Sequence, residues 1–161
     1  MAVPSGIGRD EPYTTRPGTQ RDAAVMASIS AAVSLSPWSE ERLLAACLDE
    51  RMTGHVVRVI ETTDVVLGFV VYARVLDEVT VYEIAVRAQY QGRGLGQALL
   101  CSALREMRRV GVVRCLLEVR ESNQPARRLY QRNGFSIDGT RKQYYPCADG
   151  REDALLMSAQ L

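Results

Sequence analysis

Six consecutive residues, Gln91-Gly92-Arg93-Gly94-Leu95-Gly96, place three glycines where a strand-like stretch gives way to a helix-like one. Gly94 and Gly96 carry no Cβ, so a ligand can come close to the backbone there. The first N–H groups of the following helix have no partner within it, and the helix dipole adds partial positive charge. Such a turn is an anion site suited to a pyrophosphate. The Gly-x-Gly-x-Gly spacing differs from the Gly-x-Gly-x-x-Gly of dinucleotide folds, and no Gly-Lys-Ser/Thr follows. On its own, the same run would serve equally as a tight strand-to-helix turn. Two titratable groups lie downstream. Glu118, flanked by Leu116, Leu117 and Val119, would titrate above its ordinary range if desolvated. Tyr130 follows Asn123 by seven residues, two helical turns, so the two share one face. Its phenol is protonated at neutral pH and can donate.

The elements that must hold these residues follow from periodicity. A short strand is expected around Tyr13–Arg16. Thr19 then caps a helix with Asp22 in its first turn and Val25, Met26, Ile29, Ala32 and Val33 at helical spacing. Pro37-Trp38-Ser39 breaks the chain, and Ser39 caps a second helix led by Glu40 and Glu41. His55–Ile60, Leu67–Val75 and Thr80–Val86 are rich in Val, Ile and Tyr. They read as three antiparallel strands separated by turns at Glu61–Asp64 and Asp77-Glu78. Leu95, Leu99, Ala103 and Met107 recur every fourth residue, and Gly111 ends that helix. Val113–Val119 reads as a buried strand, Asn123 caps a helix reaching Asn133-Gly134, and strands near Phe135–Tyr144 and Ala154–Ala159 finish the chain. The expected class is α/β: a mixed, largely antiparallel sheet of about seven strands flanked by about four helices. Residues 1–12 read as a flexible tail and 13–161 as one domain.

Bulk properties narrow the function. With 161 residues and 47% hydrophobic content the chain can bury a core without staples. Residues 87–142 hold twelve basic and four acidic side chains, against eight and fifteen elsewhere. This asymmetry suits a phosphorylated cofactor, a nucleic acid, or scattered solvated arginines. The four cysteines form no Cys-x-x-Cys pair, and with one histidine no zinc set is credible, so no metal is expected. No secretory signal and no apolar run of membrane-spanning length is visible, which predicts a soluble cytoplasmic protein.

The pattern Gln-x-x-Gly-x-Gly, preceded by Ile84-Ala85-Val86, resembles the acetyl-CoA signature of the GNAT acetyltransferase superfamily. Glu118-Val119-Arg120-Glu121-Ser122-Asn123, then Leu129-Tyr130 and Asn133-Gly134-Phe135, extend the likeness in the same order. Within the superfamily, Pro37-Trp38-Ser39-Glu40, Leu117-Glu118-Val119-Arg120, Tyr144-Tyr145-Pro146 and Asp149-Gly150-Arg151-Glu152-Asp153-Ala154 look like the RimI group. That group comprises the bacterial ribosomal-protein-alanine N-acetyltransferases. The chain departs from it before Tyr13 and at Arg87-Ala88-Gln89.

The resemblance implies acetyl transfer from acetyl-CoA to the N-terminal α-amino group of a small-subunit ribosomal protein. No membrane and no direct nucleic-acid contact is expected. Such transfer needs a neutral amine, oxyanion stabilisation and a proton for the leaving thiolate. An α-amine, with a pKa about 2.4 units below that of lysine, is neutral a few hundredfold more often at pH 7. The resemblance makes Glu118 the general base and Tyr130 the acid. It gives Ile84, Ala85 and Val86 to the pantetheine arm, with the Val86 N–H as oxyanion donor. Gly92, Arg93, Gly94, Leu95, Gly96 and Gln97 hold the pyrophosphate, and Asn123 hydrogen-bonds the cofactor. Glu83, on the strand before the turn, is a rival base or a substrate contact, and Tyr144 and Tyr145 are expected in the peptide groove. Plainer readings stand beside these: Glu118 as a strand-end carboxylate bonded to an arginine, Tyr130 as core, Asn123 as a cap alone, Trp38 as packing. Two other functions remain open, a GNAT enzyme for lysine or small amines and a non-catalytic nucleic-acid or ribosome-binding module.

Overall fold

The computed structural model describes residues 12–48, 55–63 and 65–161. Of the expected tail only Pro12 falls among them, and its carbonyl accepts the Thr62 hydroxyl at 2.9 Å. The order of elements is β1 (Thr14–Pro17), a 3-10 turn (Gln20–Asp22), α1 (Ala23–Val33), α2 (Glu40–Ala46), β2 (His55–Thr62), β3 (Val65–Val75) and β4 (Glu78–Val86). A second 3-10 turn (Ala88–Tyr90), α3 (Leu95–Arg109), β5 (Arg114–Arg120), α4 (Gln124–Arg132), β6 (Ser136–Cys147) and β7 (Gly150–Gln160) follow. The seven strands run in the order β1-β2-β3-β4-β5-β7-β6. Among the described residues, β4 and β5 pair in parallel, whereas β1/β2, β5/β7 and β6/β7 are antiparallel. Two-residue connections make the β2/β3 and β3/β4 neighbours antiparallel as well. Among the described residues, seven strands and four α-helices match the expected class.

Contacts divide the chain into two compact units, Met1–Tyr72 with Glu83–Ala103 and Ala73–Tyr82 with Leu104–Leu161. In the first, Met26 and Ile29 of α1 and Leu43 of α2 are buried against Val57, Val59 and Phe69. Truncating one such side chain to Ala costs about 2–5 kcal/mol. Its polar corner is equally specific. Arg16 donates to both oxygens of Asp22 at 2.8 and 2.9 Å and to Glu61 at 2.8 Å. The Thr19 N–H also donates to Asp22 at 2.8 Å. Asp22 therefore closes the first turn as expected and also anchors β1. Ser39 caps α2 by accepting from the Arg42 N–H.

In the second unit the β3/β4 turn falls at Leu76–Asp77, one residue earlier than expected, because Leu76 adopts φ 59° and β4 starts at Glu78. The Asp77 carbonyl accepts the Val113 N–H at 2.8 Å. β5 alternates rather than being buried throughout: Cys115, Leu117 and Val119 face inwards, whereas Arg114, Leu116, Glu118 and Arg120 are half-buried. Glu118 thus stands on the more open face of its strand.

Candidate active site

Within the first unit, β4 delivers Ile84, Ala85 and Val86 to the glycine turn. Gly68 lets β4 lie close to β3. A Cβ on Gly68 would sit 2.6 Å from the Ala85 carbonyl oxygen and 3.2 Å from the Val86 Cα. The Arg87 N–H extends the pairing to the Leu67 carbonyl at 2.8 Å, and its guanidinium Nε holds the Val66 carbonyl at 2.7 Å. The Gln91 side-chain amide reaches back to the Val86 carbonyl at 3.0 Å and ties the turn to the strand end. Buried Tyr90 supports Arg93, whose guanidinium lies 5.2 Å from its ring centre.

The left-handed positions are Gly92 (φ 74°) and Gly94 (φ 82°), and nothing in the protein lies within 4 Å of where their Cβ atoms would be. Backbone conformation, not crowding, demands glycine there. Gly96 is instead the second residue of α3. At the start of α3 the Ala98 N–H donates to the Gly94 carbonyl at 3.0 Å, so Leu95 and Gly96 present N–H groups with no acceptor inside the helix. The Gln97 side chain points along the helix to the Cys101 Sγ at 3.1 Å, which leaves its backbone as the part suited to a ligand.

Glu83 is held in the same unit. The Ser30 hydroxyl donates to Glu83 Oε1 at 2.7 Å and accepts the Trp38 N–H at 2.9 Å. Burial pushes the Glu83 carboxyl upwards, against the opposing pull of Ser30, Ser34 and Arg42. Trp38 is a packing residue, 6% exposed, with the Arg42 guanidinium 3.6 Å over its ring and His55 edge-on at 6.1 Å.

The second unit gathers Glu118, Tyr130, Tyr144 and Tyr145. Glu118 Oε1 pairs with Arg141 Nη2 at 3.2 Å. The plainer reading, a carboxylate bonded to an arginine, is therefore part of its geometry. Tyr145 feels both sides of this cluster: burial raises its phenol, and Glu118 and Tyr144 add to the effect. Tyr130 is 8% exposed and tilted against Phe135 at 5.8 Å. Burial raises its phenol strongly, with Cys115 and Tyr145 contributing. Tyr145 therefore links the electrostatic surroundings of Glu118 and Tyr130. Asn123 caps α4, its Oδ1 accepting the Ala126 N–H at 3.2 Å.

The Tyr144-Tyr145-Pro146 stretch and the Asp149–Ala154 motif near the C-terminus hold one another. Between Arg141 and Tyr145 the register with β7 slips, and Gln143 takes φ 49°. Asp153 accepts the Gln143 N–H and the Lys142 ammonium at 2.8 and 2.7 Å. Arg151 donates to the carbonyls of Gln143 and Tyr144 at 2.8 and 2.7 Å. Glu152 takes Arg120 at 2.9 Å and the Ser122 N–H at 3.2 Å, and Arg120 lies 4.3 Å over the Tyr145 ring. Tyr144 meets Tyr145 edge to face at 5.0 Å. Gly68, Ser30, Arg141 and this bulge were not foreseen as site residues. Only Gly68, an isolated glycine within a strand pattern, carried a signal of close backbone approach.

Among the described residues, no helix is long and apolar enough to cross a membrane. The profile of the acetyltransferase (GNAT) family matches residues 23–135. The [ribosomal protein bS18]-alanine N-acetyltransferase of Escherichia coli K12 is 46% identical over 91 residues, which cover 56% of this chain and 62% of that protein. The alignment thus spans less than two thirds of that relative. The Haemophilus ducreyi protein of the same name is 33% identical over 147 residues, covering 88% of this chain and 96% of its own length. The crystal structure of the E. coli ribosomal-protein-S18-alanine N-acetyltransferase superposes with a TM-score of 0.85 at 34% identity, covering 92% of this chain and 94% of that one. Strand end, left-handed glycines and helix start fall inside the matched region, and the chain belongs to the GNAT family of acetyltransferases.

Proposed function

We propose that this chain acetylates the N-terminal α-amino group of an alanine on a small-subunit ribosomal protein, using acetyl-CoA, in the cytoplasm. The observation that carries the reading is the cradle of Gly92 and Gly94, open to solvent between the end of β4 and the first turn of α3. It fits a pyrophosphate: two left-handed glycines leave room, and the helix start supplies N–H groups and partial positive charge. The acceptor follows the named relatives and the interlocked motifs at Tyr144–Pro146 and Arg151–Asp153. The acetyltransferase domain runs over residues 13–161.

Acetyl-CoA supplies an activated acyl group and a thiolate leaving group. The backbone from Gly92 through Arg93, Gly94, Leu95 and Gly96 to Gln97 holds its pyrophosphate. Ile84, Ala85 and Val86 pair with the pantetheine arm as an added strand would, and the Val86 N–H stabilises developing charge on the acyl oxygen. Asn123 contacts the same ligand while capping α4. Glu118 takes a proton from the acceptor ammonium, and Arg141 holds that carboxylate in one orientation. Tyr130 Oη donates a proton to the departing sulfur. Its burial keeps the phenol neutral far into the alkaline range, which suits a donor. Tyr144 and Tyr145 line the path of the acceptor chain.

The test offers acetyl-CoA with a peptide that begins with a free alanine, and with an N-blocked copy carrying an internal lysine. Coenzyme A release is expected only with the free N-terminus. Turnover on the blocked copy alone would overturn the reading.

A further inference from the structure

Glu83 takes its one short hydrogen bond through Oε1, with the Ser34 hydroxyl also acting on the carboxylate. Oε1 takes the Ser30 hydroxyl at 2.7 Å, and that hydroxyl is fixed in turn, because its oxygen already accepts the Trp38 N–H. Ser30 is fully buried, so this arrangement is part of the packed wall between α1 and β4. Oε2 is buried as well and has no hydrogen-bond partner among the described residues. Arg42 lies over the Trp38 ring at 3.6 Å and acts on Glu83 through charge rather than a hydrogen bond. A buried carboxylate oxygen without a donor is costly. Here the carboxylate keeps one short bond from Ser30, feels Ser34 and Arg42 from farther off, and leaves Oε2 with no donor at hydrogen-bond distance among the described residues.

We propose that Glu83 is a specificity residue whose Oε2 receives a protonated basic side chain carried by the second or third residue of the acceptor. This rests on the reading above, in which the acceptor amine attacks near Val86. Glu83 precedes Val86 by three residues, about 10 Å along a strand. That is too far for one group to touch both the reacting amine and this carboxylate. An extended peptide advances about 3.3–3.6 Å per residue, so a long basic side chain at position two or three spans the gap. The ligand class follows from the charge. A carboxylate oxygen takes a guanidinium or ammonium through a charge-assisted bond, stronger than a neutral one, while the phosphates of the cofactor would be repelled.

The test uses the full-length protein with coenzyme A present and five N-terminal alanine peptides. They carry arginine at position two, arginine at position three, citrulline in place of either arginine, or alanine at both. Affinity is read by calorimetry and turnover by coenzyme A release. Wild-type protein should prefer one of the arginine peptides over its citrulline copy by about 10- to 100-fold. Glu83→Gln should bring that ratio to within about threefold of unity and leave acetyl-CoA affinity unchanged. Equal binding of arginine and citrulline by the wild type would overturn the proposal without recourse to any variant. So would a preference that survives Glu83→Gln, or a loss shared by all peptides and by acetyl-CoA. Discrimination without acetyl transfer to any peptide would remove the N-terminal acetylation reading and leave the assignment of Glu83 standing. Transfer without discrimination would do the reverse.

Discussion

Replacing Tyr130 with Phe removes one oxygen and keeps the ring. The ring is 8% exposed and leans on Phe135 at 5.8 Å, so the packing survives the change. Loss of one hydroxyl should alter stability by no more than about 1 kcal/mol, or roughly 2–4 °C in Tm for a chain of this length. A general acid contributes about 10²- to 10⁴-fold, equivalent to about 2.7–5.5 kcal/mol of barrier. The expected signature is therefore a fall in kcat of that size with a nearly unchanged melting curve and unchanged acetyl-CoA affinity. Tyr130→Ala would be a poorer test, since emptying the site costs about 3–5 kcal/mol of stability. The sign of the pH effect is also fixed. Burial raises the phenol, so its protonated form persists above the ordinary value of 10.0 and Tyr130 imposes no alkaline loss of activity below that pH. The assay is steady-state coenzyme A release with an N-terminal alanine peptide, alongside calorimetry and thermal unfolding. A kcat within about threefold of the parent, with cofactor binding intact, would refute the role given to Tyr130.

Glu118→Gln should lower kcat/KM by about 10²-fold or more while acetyl-CoA still binds, as checked by the same kinetics and calorimetry. Gly94→Ala forces an L side chain to φ 82°, a strain of about 1–2 kcal/mol. Calorimetry should show acetyl-CoA bound about 5- to 30-fold more weakly. Gly68→Ala acts differently, because its Cβ would meet the Ala85 carbonyl at 2.6 Å. Thermal unfolding should show a loss of about 1–3 kcal/mol together with weaker cofactor binding. Stability should fall at both pH extremes. Burial raises the thiols of Cys47 and Cys115 to about 11 and about 12, so the unfolded chain loses these protons first. Their contribution is intact below 9.0 and is lost as pH climbs through 11 and 12. Hydrogen bonds from Arg16 lower the Asp22 carboxyl, so its contribution is present above 3.8 and is lost as pH falls. Urea unfolding across pH checks both arms, and a flat profile would contradict them.

The strongest sequence patterns gave the elements that rest on burial. Leu95, Leu99, Ala103 and Met107 repeat along α3 and are buried. Ser39 and Asn123 cap the helices expected of them, because capping is a local hydrogen bond that needs no tertiary context. The β6/β7 hairpin was legible only in part. β6 is almost wholly exposed, so it has no apolar alternation, and β7 begins with Gly150-Arg151-Glu152-Asp153, whose role is to hold a bulge. Charged residues that bond backbone groups across a hairpin leave no periodic trace. The same limit applies to the carboxylates. Apolar neighbours suggested that Glu118 would be the desolvated one, yet strand alternation turns it towards Arg141. Burial acts on Glu83 instead, through Ser30 and Trp38, which are distant from it in sequence.

The central claim is that this chain acetylates an α-amine. One peptide with a free N-terminal alanine and an internal lysine, incubated with the full-length protein and acetyl-CoA, tests it most directly. Fragment mass spectrometry then locates the added acetyl group. The account predicts a single acetyl group on the N-terminal nitrogen. Acetylation of the lysine with the N-terminus left free would contradict it.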